Sequence, residues 1–210
     1  MKSLIIILAA VVGPLTGANF NGDAKAPTLV RYRIDASRSS FVVHANRTGL
    51  AWFRGHSHRI AVRDFDGEAA LTLDAINPAS LEMNVRAASL EESDPQFTGQ
   101  QKKIIKKEME EIVLETAKYP DISFRSTEVK GGFENGKIRV EIVGDLSLHG
   151  VTRRVEIPAD VTLSGNEMRA VGEFYIERDD FDVKATSAFH GLVRVRNRLK
   201  IVFDIIAIRS

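Results

Sequence analysis

The sequence predicts an all-β fold, an antiparallel sheet closed into a barrel, and three observations carry that reading. Short apolar and polar alternations recur from Tyr32 to the C-terminus. Tight-turn sequences such as Asn135-Gly136 and Ser164-Gly165-Asn166 separate them. Only Gln100 to Lys118 switches to a helical period. Many regular strands with few provisions for an exposed edge favour closing the sheet on itself.

Each element has its own signal. Ser40 to Ala45 is rich in β-branched and aromatic residues, and Leu71-Thr72-Leu73 alternates. Leu81, Met83, Val85 and Ala87 alternate with Glu82, Asn84 and Arg86, as a half-buried strand requires. Ile122 to Val129 carries Phe124 and ends before Gly131-Gly132. Lys137 to Leu148 sets Ile138, Val140 and Ile142 against Arg139 and Glu141. Val155 to Leu163, Met168 to Ile176, Val193 to Arg196 and Leu199 to Ile208 complete the strands. The helical segment spaces Ile104, Ile105, Met109, Ile112 and Val113 at three and four, and Tyr119-Pro120 stops it.

The chain has 210 residues, 44% hydrophobic and 27% charged, enough for one domain with a sizeable core. Met1-Lys2, the apolar run Leu4 to Leu15 and the small residues Thr16-Gly17-Ala18 have the layout of a secretory signal peptide. The expected organisation is a signal at 1–18, a flexible leader at 19–30 and one domain at 31–210, in a periplasmic or secreted protein. The apolar run is shorter than the ~20 residues of a spanning helix, and no integral membrane segment is expected after signal removal. There is no cysteine, so disulfides and lipid attachment to cysteine are excluded. Removing residues 1–18 takes away Lys2 alone, so 28 basic residues face 28 acidic ones. That balance argues against a nucleic-acid partner bound through its phosphates. The basic patches Arg194/Arg196/Arg198/Lys200 and Lys102/Lys103/Lys106/Lys107 read as solvated faces.

The signals for chemistry are thin. His56 and His58 form an i, i+2 pair that a strand would place on one side, with His190 a further metal candidate. Zinc sites use three or four ligands, and nothing local supplies the rest, so no metal is expected. No Gly-x-Ser-x-Gly elbow and no phosphate-cradling loop occurs. Ser147-Leu148-His149 is adjacent only in sequence. The acidic pairs Asp179-Asp180, Asp64/Asp66 and Glu91-Glu92 read as turns or exposed faces. The expectation is a protein without catalysis and without a cofactor. The aromatic residues fall in or beside the strands, as a packed core or the lining of a cavity would have them.

Four motifs occur in order: Tyr32-Arg33-Ile34-Asp35 with Ser39-Ser40-Phe41, then Arg63-Asp64-Phe65-Asp66-Gly67 as an F-x-G turn. Thr116 to Phe124 and the hairpin Gly144 to Arg153, continued by Val155-Glu156-Ile157-Pro158, follow. Together they resemble the YceI-like family of exported, lipocalin-like proteins associated with polyisoprenoid binding. The resemblance implies eight antiparallel strands around an elongated apolar cavity, an amphipathic helix at one end, and an isoprenoid or similar amphiphilic lipid inside. It implies Phe41, Trp52, Phe53, Phe65, Phe124, Phe174, Phe181 and Phe203 as ligand-facing residues. The alternative is a histidine-dependent metal-binding or stress-linked barrel without lipid cargo. Asp180-Phe181-Asp182 stands where the family has Asp-Phe-Gly, so that turn must form without glycine.

Overall fold

The computed structural model describes residues 28–48, 56–73, 76–134, 137–184, 187–188 and 193–210. The strands are β1 (Leu29–Ile34), β2 (Ser40–Ala45), β3 (Arg47–Thr48), β4 (His58–Val62), β5 (Phe65–Thr72), β6 (Ile76–Arg86) and β7 (Leu90–Glu92). After the helix α1 (Gly99–Glu108) come β8 (Asp121–Glu134), β9 (Lys137–Leu148), β10 (Val151–Ser164) and β11 (Glu167–Glu177). The last are β12 (Ser187–Ala188), β13 (Val193–Val195) and β14 (Arg198–Arg209).

Eight of these close a ring in the order β1-β5-β6-β8-β9-β10-β11-β14, with β14 returning to β1, and every pairing is antiparallel. The barrel expected from the turn signals and the alternation is therefore present. Strand β14 gives its whole length to β11 on one edge and divides its other edge between β2, at Lys200 to Asp204, and β1, at Ala207 to Arg209. The interruption between β1 and β2 is a short 3-10 turn, Ala36–Arg38, capped by Asp35. Ser39 bridges the gap: its Oγ accepts from the Ile206 N–H at 2.9 Å, while the Asp35 N–H donates to the Ile206 carbonyl at 2.8 Å. No ladder group at Ile206 is left without a partner where the strand changes neighbours.

Beyond the ring, β4 pairs with β2 and β7 pairs with β4, which extends one wall of the barrel. Nothing pairs with the outer edge of β7 among the described residues. Helix α1 packs there, and Lys106 Nζ donates to the carbonyls of Ala88 and Leu90. Thr98 and Gln101 form a reciprocal capping box at its start. A π-turn, Met109–Val113, then delivers Leu114 into the core.

Four details differ from the sequence reading. The helix ends at Val113 rather than Lys118, because Glu115 turns left-handed at φ 46° and breaks the hydrogen-bond ladder. His58 to Val62 forms a strand that no alternation announces, and Phe65-Asp66-Gly67 opens β5 rather than forming a turn. Strand β1 begins at Leu29, two residues before the expected domain boundary. The turn lacking its glycine forms with Asp182 at φ 54°, a conformation that aspartate tolerates better than most residues. Asn135-Gly136, the clearest hairpin signal, lies outside the described residues.

Two glycines make room for rings inside the barrel. A Cβ on Gly172 would stand 2.5 Å from the Phe203 ring and 2.3 Å from the Pro158 carbonyl oxygen. One on Gly144 would stand 2.6 Å from the Phe124 ring. Gly172→Ala is expected to destabilise the fold by about 1–3 kcal/mol, because the added carbon meets backbone as well as a ring. Gly99→Ala, whose Cβ meets nothing within 4 Å, is expected to be neutral or stabilising. Urea unfolding of the two variants checks the contrast.

Candidate binding cavity and its polar end

Inward-facing positions of the barrel strands are aliphatic or aromatic, and they enclose two cavity lobes. The first, about 160 Å³, lies among Ala69, Leu81, Val129, Ile138, Val161 and Met168, toward the end of the barrel away from α1. Its lining is hydrocarbon apart from Ser80 and Ser123. The second, about 240 Å³, lies beneath the helix, against Ile105, Met109, Val113 and Leu114. Phe41, Val85, Ile122, Leu146 and Phe174 line both, so the lobes meet at a waist that includes two aromatic rings.

The aromatics named from the sequence divide between cavity and core. Phe41, Phe124, Phe174 and Phe203 line the first lobe, with the Phe174 and Phe203 ring centroids 6.4 Å apart. Phe65 and Phe181 are buried in the core and lie on neither lining; Phe65 packs edge-on against Phe41 at 6.0 Å. Trp52 and Phe53 lie outside the described residues. Sequence reasoning missed the larger aliphatic share of the wall, including Met83, Ile142, Leu146 and Ile157. Its signal was present in the inward alternation of β6, β9 and β10.

Charge is confined to the lobe under the helix, where His58, Glu108, Arg178 and Lys184 reach the lining. His58 is fixed by two contacts. Its ring stacks parallel on Phe97 at 5.2 Å, and its Nδ1 meets Glu92 Oε2 at 2.7 Å. The other Glu92 oxygen accepts the backbone N–H groups of Arg59 (3.2 Å) and Asp94 (2.8 Å). The Glu92 side chain has no solvent exposure. Glu91-Glu92 is therefore not an exposed pair: Glu91 faces outward to Arg63, while Glu92 ties β4 to β7 from within. A buried carboxylate persists only where donors replace its water, and here they come from three residues.

The remaining candidates do not assemble. His56 meets Gln96 and the edge of Phe97, and His44 points out of the barrel beside Arg59 and Lys200. His190 lies outside the described residues. Among the described residues no three side chains capable of holding a metal converge. Ser147 Oγ bonds Thr152 rather than His149. His149, at the positive-φ turn between β9 and β10, bonds Glu115 at 2.8 Å and packs on Tyr119. That contact ties the hairpin to the chain leaving the helix.

An eight-stranded antiparallel barrel with a largely hydrocarbon interior is wide enough either to be filled by side chains or to hold one small ligand. Residues 32–207 match the model of the YceI-like domain, and the chain belongs to that family. Protein YceI of Escherichia coli O6:H1 is 30% identical over 178 residues, covering 81% of this chain and 85% of the relative. A UPF0312 protein of Pseudomonas fluorescens is 36% identical over 112 residues, half of each chain. In structure, Burkholderia cenocepacia BcnA aligns with a TM-score of 0.66 at 18% identity, covering 82% of this chain and 98% of its own. A polyisoprenoid binding domain from Saccharophagus degradans, implicated in plant cell wall breakdown, aligns with a TM-score of 0.60 at 12% identity. It covers 85% of this chain and 98% of that one. Among the described residues, no helix is long and apolar enough to cross a membrane.

Two predictions follow from the charged groups. Glu92→Ala leaves His58 and two backbone N–H groups without their acceptor, and is expected to cost about 3 kcal/mol in urea unfolding. Glu92→Gln, which keeps one acceptor oxygen, is expected to cost less. His44 is held below its usual value of 6.5 by desolvation first, then by the positive charges of Arg59 and Lys200, with Glu173 opposing. The unfolded chain therefore binds this proton more readily, so the contribution is complete above about pH 6.5 and is lost as pH falls through the lower folded value. His44→Gln is expected to remove that part of the acid sensitivity, measured as unfolding midpoint against pH.

Proposed function

We propose that this protein is an exported carrier or scavenger that holds an isoprenoid or similar amphiphilic lipid inside its barrel, without catalysis. The observation that carries the reading is the pair of apolar lobes meeting at the Phe41 and Phe174 waist. Its support is the family membership, together with the polyisoprenoid-binding character of the Saccharophagus domain of similar fold. The physical case is direct. An apolar cavity of this kind stays dry, and each methylene buried contributes about 0.8 kcal/mol, so ten carbons offer roughly 8 kcal/mol gross. Ordering the tail and losing its freedom of motion take back a large part. A ligand long enough to use both lobes turns the rings at the waist aside. Residues 1–18 act as the export signal and are removed, placing the barrel in the periplasm or outside the cell.

Displacement of a neutral solvatochromic dye by geranylgeraniol tests the reading. The wild-type protein is expected to bind the alcohol. Ala159→Phe, which fills the first lobe from β10, is expected to weaken it at least tenfold with the far-ultraviolet circular dichroism unchanged. Equal affinity in the two proteins, or no binding by wild type, contradicts the cavity as the lipid site.

A further inference from the structure

We propose that residues 99–114 are a lid over the lobe beneath them, and that the contact between Glu115 and His149 is the latch that holds it shut. This rests on the lipid-binding reading above and adds the route by which a ligand enters and leaves. The ring strands are joined edge to edge by antiparallel ladders, so a ligand reaches the interior through an end of the barrel. At the end away from α1 the interior is packed with Val30, Leu71, Ile138, Val161 and Met168, all buried in one cluster. At the other end the roof is helical, made by Ile105, Met109, Val113 and Leu114.

That roof is lightly held. No residue of Gly99–Glu108 or Met109–Val113 is buried, and Ile104 and Ile112 are more than half exposed. Lys106, on the carbonyls of Ala88 and Leu90, is its polar tie to the wall. An element that buries so little apolar surface opens at a lower free energy than the sheet it covers.

The latch lies where the helical segment stops. Glu115 is left-handed there at φ 46°, and the Thr116 N–H donates back to the Glu110 carbonyl at 2.9 Å. Glycine usually takes that place. His149 faces it from the turn between β9 and β10 and is itself at φ 52°. Its buried ring packs on Tyr119 at 4.3 Å, and Nε2 meets Glu115 Oε2 at 2.8 Å. A carboxylate only accepts, so Nε2 carries the proton. Nδ1 is buried without a partner among the described residues, so the imidazole depends on Glu115 for its one hydrogen bond. Gly150 leaves room for the Tyr119 ring, which a Cβ there would meet at 2.6 Å. Two left-handed residues other than glycine, joined by one hydrogen bond, are the kind of strain found at switch regions. Neither belongs to a strand, so releasing the bond frees the lid from the hairpin and leaves the ring of strands intact.

Hydrogen exchange of residues 99–114, and the rates of geranylgeraniol uptake and release followed by dye displacement, test the proposal. Glu115→Asn suits the left-handed position but is too short to reach His149. It is expected to speed exchange of residues 99–114 about tenfold, with β9 and β10 unchanged. Uptake and release are expected to quicken together, leaving the affinity within about threefold of wild type. Glu115→Gln, which keeps an acceptor oxygen at the same reach, is expected to behave as wild type, and His149→Asn as Glu115→Asn. Should His149→Asn fail to fold for want of its buried ring, Glu115→Asn decides alone. Exchange unchanged in Glu115→Asn overturns the latch. Faster exchange with unchanged uptake and release overturns the lid as the route to the cavity. Faster exchange in a protein that binds no geranylgeraniol supports the latch and overturns the lipid-binding reading instead.

Discussion

Strand β14 has two edges and three partners, and the barrel exists because the chain solves that mismatch. One edge runs against β11 from Arg198 to Ile208, and the other is handed from β2 to β1 across the Ala36–Arg38 turn. Ser39 and Asp35 complete the hydrogen bonding of Ile206 at the handover. With the handover secured, Ile201, Ile205 and Ala207 face inward and are buried against strands that lie far away in sequence. The interior then follows from alternation alone, since each strand can send only every second side chain into the barrel.

The same geometry leaves one problem at the α1 end. There the wall is extended by β4 and β7, and the outer edge of β7 needs a cover that no other strand among the described residues provides. The helix supplies it, with Lys106 binding the carbonyls around β7 and Met109, Val113 and Leu114 closing the lobe below. Glu92, buried at the end of β7, holds this corner from the inside through His58 and backbone amides. A hydrocarbon floor and a charged roof result from how the sheet is finished at its two ends. That division separates a hydrocarbon lobe from one whose lining includes His58, Glu108, Arg178 and Lys184.

Much of the fold is legible in the sequence, and the reason is periodicity. Lys137 to Leu148 is bounded in the structure as its alternation indicates, because it has one wet face and one dry face, and Ser40 to Ala45 as its β-branched and aromatic content indicates. His58 to Val62 escaped notice because Ile60, Ala61 and Val62 are all buried, and a strand covered on both faces has no alternation to show. The helix was overextended because nothing in Glu115 announces a left-handed residue; its side chain bonds His149, a partner 34 positions away. The site divides in the same way. Aromatic content pointed to an interior, but Phe65 and Phe124 read alike in sequence, and only the closed sheet sends one into the core and the other onto the cavity wall. Glu92 and Arg178 carry no local signal at all, since their burial is set by elements brought together from distant parts of the chain.

The central claim is that the barrel interior is a lipid site. Native mass spectrometry of the protein, expressed with residues 1–18 in place and purified without detergent, addresses it most directly. The account predicts a population heavier than the polypeptide, whose added mass extracts into organic solvent and is lost in Ala159→Phe. A protein that carries only its polypeptide mass, and stays so after incubation with a C20 isoprenoid, would contradict it.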